Sequence, residues 1–187
     1  MKVPLLKYNQ IDEIVSLSDE LVESDGAVQV GSELLARRTL RDDEEYLLDH
    51  FPRFPVMPGV MMLESLVQAS TWMVHLARRF ESPVVRLAEV RGVKFGDFLA
   101  PGQTLSITTS VQKLDDDRVH IRAAATKDEK ATVSARMVLQ WLDHVPLGSA
   151  AVTDAERARR DDDGRRHTRM QFESLFGSKW LDHLQSS

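Results

Sequence analysis

From Val60 to Ala77 the chain reads VMMLESLVQASTWMVHLA, with apolar residues on every side of the helix that such a run would form. A helix that is hydrophobic all round cannot lie on a surface; it is enclosed by protein or by lipid. Glu64, Gln68 and His75 interrupt the run, and a spanning helix would carry that carboxylate at a heavy cost. No membrane span is expected, so the rest of the chain must wrap this helix.

The wrapping is visible downstream. Leu105, Ile107, Thr109 and Val111 alternate with polar neighbours, as do Val119, Ile121, Ala123 and Ala125, and again Val133, Ala135, Met137, Leu139 and Trp141. Alternation of this kind marks strands with one face to a core and one to water. Asp115-Asp116-Asp117 and Lys127-Asp128-Glu129-Lys130 lie between the runs as turns. The pattern is an antiparallel meander. Upstream, residues 9 to 40 hold short apolar stretches separated by Ser-Asp and Asp-Gly signals, which predicts short strands and turns. A buried helix followed by a meander predicts an α+β domain whose sheet wraps the helix.

Just before the helix stands the segment that carries chemistry, His50-Phe51-Pro52-Arg53-Phe54-Pro55-Val56-Met57-Pro58-Gly59. Its three prolines forbid regular helix or central strand, and Gly59 permits a tight entry, so the helix should begin with free backbone N–H groups. Those groups at Gly59 and Val60 can steady negative charge on a carbonyl oxygen. Histidine, with an ordinary pKa of about 6.5, suits a general base. Glu64 has Met61, Met62, Leu63, Leu66 and Val67 around it in sequence, and burial would raise its pKa and favour the neutral acid. Gln68 lies one turn further on the same face, within reach of a hydrogen bond to Glu64.

Together these residues resemble a known family. His50-Phe51-Pro52, Pro55-Val56-Met57-Pro58-Gly59-Val60, and Glu64 with Gln68-Ala69 are similar to the 3-hydroxyacyl-[acyl-carrier-protein] dehydratases of the hot-dog fold, including a spacing of fourteen between histidine and glutamate. The likeness continues through Val93-Lys94-Phe95 and Pro101-Gly102-Gln103 and spans about residues 5 to 142. It implies His50 as base, Glu64 as acid or as the group that positions the hydroxyl, and Gly59 as oxyanion donor. It further implies that His50 and Glu64 meet across a homodimer interface, in a tunnel lined by both subunits. The family usually has glycine after His-Phe-Pro, where this chain has Arg53. Arg53 is then expected to point to solvent or to the phosphate of an incoming carrier arm, or else to occupy the tunnel mouth.

Composition bounds the alternatives. With 42% apolar and 28% charged residues the chain is an ordinary globular protein, and without cysteine it has no disulfide and no thiolate nucleophile. His120, His144, His167 and His183 lack ligand spacing, so no metal site is expected, and acid, base and dipole need no cofactor. The formal net charge of −5 argues against nucleic-acid binding. An acidic carrier protein would need a local basic patch, for which Arg78, Arg79, Arg86, Arg91 and Lys94 are candidates. The start, Met1-Lys2-Val3-Pro4-Leu5-Leu6-Lys7, lacks the apolar stretch of a secretion signal, which points to the cytoplasm.

Residues 1–145 read as the hot-dog domain and 146–187 as a charged extension. Seven acids balance seven bases between residues 150 and 187, so the net charge belongs to the domain. Phe172, Leu175, Phe176, Trp180 and Leu184 recur at helical spacing and predict a short amphipathic helix, weakened by Gly177. It would dock on its own domain or a neighbouring subunit, or recruit a separate partner. The expected activity is dehydration of 3-hydroxyacyl thioesters carried on acyl carrier protein or coenzyme A. The alternatives are a hot-dog thioesterase, in which Glu64 activates water, and a non-catalytic acyl-binding or assembly protein, in which Arg53 fills the tunnel mouth or reorients the loop that carries His50.

Overall fold

The computed structural model describes residues 8–23, 26–51, 53–146 and 152–185. The N-terminal stretch Met1–Lys7, Pro52 of the loop motif and the start of the extension lie outside them, as does the side chain of Leu184.

The chain order is β1 (Glu13–Leu17), α1 (Asp19–Val22), β2 (Glu33–Thr39), α2 (Gly59–Ala77), β3 (Val84–Phe95), β4 (Thr104–Asp115), β5 (Arg118–Lys127), β6 (Lys130–Leu142), α3 (Asp154–Phe176) and α4 (Lys179–Gln185). The strands make one six-stranded sheet in the order β1-β2-β4-β5-β6-β3, with antiparallel neighbours throughout. This is the hot-dog fold. The sheet curls around α2, which packs on β2 through β6.

The alternating residues face this helix as the pattern predicts. Leu105, Ile107 and Val111, then Val119, Ile121, Ala123 and Ala125, then Val133, Ala135, Met137 and Leu139 are all buried, against Met62, Leu66, Ala69 and Met73 of α2. Ser70, a buried polar residue in that interface, is satisfied locally. The Ser70 hydroxyl donates to Leu66 O (2.8 Å) and pairs with the Thr109 hydroxyl (2.8 Å). The β5–β6 turn forms at Asp128-Glu129, both in left-handed conformation (φ 48° and 63°), and the β4–β5 turn at Asp116-Asp117.

α2 ends without glycine. Phe80 N–H bonds His75 O and Arg79 N–H bonds Leu76 O, the paired closure of a Schellman motif, with Arg79 at φ 49° and Phe80 at φ 62°. The chain then crosses to the far edge of the sheet and forms β3. Alternation does not reveal this strand, because it is an edge strand with two register shifts against β6, and most of its residues are exposed or half-buried.

The extension differs from the expected short helix. α3 already starts at Asp154, where Thr153 and Glu156 form a reciprocal capping box, and it stops at Gly177 (φ 76°). Its charge-rich first half conceals a helix whose docking residues are few. Phe172 enters the main core with Trp72 and Phe80 (ring centroids 5.6 and 5.3 Å), and Leu181 of α4 is buried there too. Asp161 pins the other half, accepting from Val145 N–H (2.7 Å) and pairing with His144 Nδ1 (2.7 Å). Burial alone would push the Asp161 carboxyl up, but these bonds outweigh it and hold the carboxyl below its ordinary range.

Candidate active site

Two loops bring the motif to the start of α2. Met57 N–H bonds Leu99 O (2.8 Å), which ties the proline-rich loop to the segment before β4. Pro58 is the N-cap, and its carbonyl accepts from Met61 and Met62 (2.9 and 3.2 Å). The N–H groups of Gly59 and Val60 donate to no described residue. They are the orphan donors of a helix N-terminus, carrying its positive dipole end. A Cβ on Gly59 would sit 3.1 Å from the Phe95 ring, so glycine is what lets the helix start close against β3.

Glu64 stands one turn on and is half-buried rather than enclosed by its apolar sequence neighbours. Its Oε1 accepts from Gln68 Nε2 (2.8 Å). Gln68 is itself clamped: Nε2 also donates to Tyr8 O (2.9 Å) and Oε1 accepts from Gln10 N–H (2.8 Å). The amide is therefore a support that orients the carboxylate.

His50 is half-buried at the end of the Glu45–Leu47 turn, where its N–H bonds Tyr46 O (3.1 Å) and its ring meets Phe51 edge-on (4.5 Å). Phe51 takes a left-handed conformation (φ 52°). This turn has an anchor that the sequence motifs do not announce. Arg38, fully buried on β2, bonds Asp12 Oδ1 (2.9 Å), Gln10 Oε1 (3.3 Å) and Glu44 at the head of the turn. Burial alone would lower its pKa, but the two carboxylates prevail and raise it. The signal in the sequence is parity: Leu34, Ala36, Arg38 and Leu40 form one inward row, and a charge there demands partners.

Among the described residues, His50 does not line the groove that Glu64 lines. That groove, of about 320 Å³, runs along α2, with Glu64, Gln68, Thr71, Trp72 and His75 on one side, Pro83, Val84 and Val85 on another, and Thr168 and Gln171 of α3 opposite. Around the head of α2 lies an exposed apolar patch instead: Phe51, Phe54, Val60 (71% exposed), Phe95 and Phe98. Arg53 is exposed in the loop beside it.

The expected basic patch is dispersed. Arg78 bonds Ser82 and Asp143 and lies over Trp141, Arg86 bonds Gln140, and Arg91 pairs with Glu89. Cross-strand register makes a different cluster on the outer sheet face. Arg91 faces Arg136, which faces Arg122, and Lys94 lies one step along, opposite Ser134. Like charges in direct register oppose folding. Only the pairing of β3 with β6 discloses this row. Among the described residues no group of three or more His, Asp or Glu side chains is arranged to hold a metal ion, and no helix is long and apolar enough to cross a membrane.

A family model described as ApeI-like, ApeI dehydratase, matches residues 27–136. The 3-hydroxyacyl-[acyl-carrier-protein] dehydratase FabZ of Oenococcus oeni is 31% identical over 137 residues, covering 73% of this chain and 88% of that protein. The enzyme of the same name from Wolbachia pipientis is 32% identical over 123 residues, covering 64% and 83%. Among solved structures, the dehydratase heterocomplex ApeI:P from Xenorhabdus doucetiae superposes with a TM-score of 0.56 at 16% identity, over 72% of this chain and 84% of that one. The fluoroacetyl-CoA thioesterase FlK superposes at 0.54 and 14% identity, over 63% and 90%. These two likenesses speak for the fold alone. The family match takes in every residue from His50 to Gln68 and more than half of the chain, which is therefore a member of the ApeI-like dehydratases.

Proposed function

We propose that this enzyme removes water from 3-hydroxyacyl thioesters carried on an acyl carrier protein or coenzyme A, giving 2-enoyl thioesters. One observation carries the reading: two free N–H donors at the head of α2 stand one turn from a carboxylate held by a clamped amide. The thioester oxygen sits on Gly59 and Val60 N–H. His50 takes the C2 proton, and the electron pair of that C–H bond flows towards the carbonyl while negative charge collects on the oxygen. As the C2–C3 double bond forms, the C3–O bond breaks and Glu64, as the acid, hands a proton to the departing hydroxyl, which leaves as water. Gln68 acts through Glu64 and is a positioning residue.

A second copy of the chain supplies the missing half of the site. Among the described strands β3 lies at a sheet edge, and the exposed side chains Phe51, Phe54, Val60, Phe95 and Phe98 gather near the head of α2. Both features support a homodimer in which His50 of one subunit faces Glu64 of the other. The arginine row with Lys94 supports approach of an anionic carrier, and Arg53 at the loop surface is free to meet the phosphate of a carrier arm.

The test is enoyl-thioester formation by His50→Ala and Glu64→Gln. Each should lower kcat by about a hundredfold or more, the usual weight of a placed acid or base, with the circular dichroism spectrum unchanged. Parental turnover in either variant removes that residue from its proposed role.

A further inference from the structure

The groove beside Glu64 is closed on one side by α3, which lies beyond the residues matched by the family model. α3 is held firmly in that position. At Gly164 an added Cβ would come within 3.0 Å of Pro83 Cβ and 3.3 Å of Val145 Cγ2. Glycine weakens a helix interior, and here it allows the helix to seat directly on the segment leading into β3. One residue on, Arg165 Nε donates to Glu81 O (2.6 Å). Towards the other end Phe172 and Phe176 pack on Trp72 (5.6 and 5.9 Å). Between these two anchors Thr168 and Gln171 turn half-buried side chains into the groove.

The facing wall follows α2. Glu64, Gln68, Trp72 and His75 recur at helical spacing, so the groove leads from the reacting carboxylate down the helix for on the order of 16 Å, at about 1.5 Å per residue. His75, at the far end, stacks on Phe80 (6.0 Å), and its Nδ1 has no hydrogen-bond partner among the described residues. Burial lowers its pKa to about 4, so the ring is neutral at pH 7. A volume of about 320 Å³ lies at the small end of ligand pockets, which run from about 300 to 1,000 Å³.

We infer that α3 is a wall of the acyl-chain groove, and that Thr168 and Gln171 limit the length of 3-hydroxyacyl chain this enzyme accepts. The inference rests on the dehydration reading for its substrate class, though the groove itself does not. An acyl chain whose C3 lies at Glu64 runs between α2 and α3, and its far end meets side chains contributed by the extension.

The experiment uses the full chain and four variants, Thr168→Phe, Gln171→Phe, Thr168→Ala and Gln171→Ala. Two series are measured: turnover of straight-chain 3-hydroxyacyl pantetheine thioesters of increasing length, and calorimetric binding of the matching unreactive acyl pantetheine amides. A misfit of one methylene in a pocket is worth about 10–200-fold, so each phenylalanine variant should lose at least about tenfold in kcat/KM and in affinity for the longest chains the parent accepts. The shortest chains should be unaffected, and the alanine variants should extend the range upward. If the parent turns over the series and the phenylalanine variants change every length equally or none, the wall is overturned and dehydration stands. If the parent turns over nothing but amide binding shows the length-selective loss, the wall stands and dehydration falls. A parent that neither converts nor binds any member overturns both.

Discussion

His75 shows what burial does to an ionisable side chain set inside an apolar helical run. It lies deep in α2, stacked on Phe80 and tilted against Trp72, and desolvation lowers its pKa from 6.5 to about 4. Between those values the unfolded chain binds a proton that the folded chain refuses, so stability rises with pH across this window and falls as pH drops from 6.5 towards 4. At pH 5 the loss from this one group is about 2 kcal/mol. His75→Phe keeps a ring between Phe80 and Trp72 and removes the titration. Urea unfolding should show the variant gaining more on its parent at pH 5 than at pH 7.5; equal gains at both would mean that His75 titrates normally. Its place inside an apolar helical run marks His75 as a core or rim residue already in sequence, and burial agrees. Arg38 is not legible in that way, because its importance comes from Asp12, which is remote in sequence and close only after β1 and β2 pair, and from Glu44 at the head of the turn six residues on.

Elements are legible where burial is one-sided or complete, and obscure where it is neither. α2 and the β4–β5–β6 meander announce themselves because each position answers to a single core. β3 does not, since an edge strand with two register shifts has no consistent inner face. α3 is longer than its apolar spacing predicts, because it docks by Phe172, Asp161 and Gly164 while charge pairs cover the rest. The β5–β6 hairpin offers a check at this scale. Asp128 and Glu129 both stand in the left-handed region, as a two-residue type I′ turn requires, and glycine is favoured at the second position. A left-handed L-residue costs about 1–2 kcal/mol and glycine costs about 0.5–1 kcal/mol in lost chain entropy. Glu129→Gly should therefore stabilise by about 0.5–1 kcal/mol, seen as a higher urea midpoint at unchanged m-value. A lower midpoint would show that the Glu129 side chain contributes something its conformation does not reveal.

At the scale of the whole molecule, one chain carries both groups proposed for the chemistry, and the groove takes in only one of them. Glu64 opens into the space between α2, β3 and α3, whereas His50 sits on a turn held by Arg38 and lies outside that space. The motif's spacing is visible in sequence, but spacing cannot say whether two side chains converge, and still less in which subunit. The sheet edge at β3 runs past the exposed rings of Phe95 and Phe98 at the head of α2, so a second copy added along that edge would cover those rings. A closed two-fold pairing presents the same surface from both sides, so one contact completes two sites. Mixing His50→Ala with Glu64→Ala chains then yields heterodimers in which one site lost both groups and the other kept both. Activity should recover towards half of the parental value per heterodimer, and neither variant alone should regain any. Verified heterodimers without recovery would place both groups in a single subunit's site, and a chain that sediments as a monomer while turning over substrate would show that no second copy is needed.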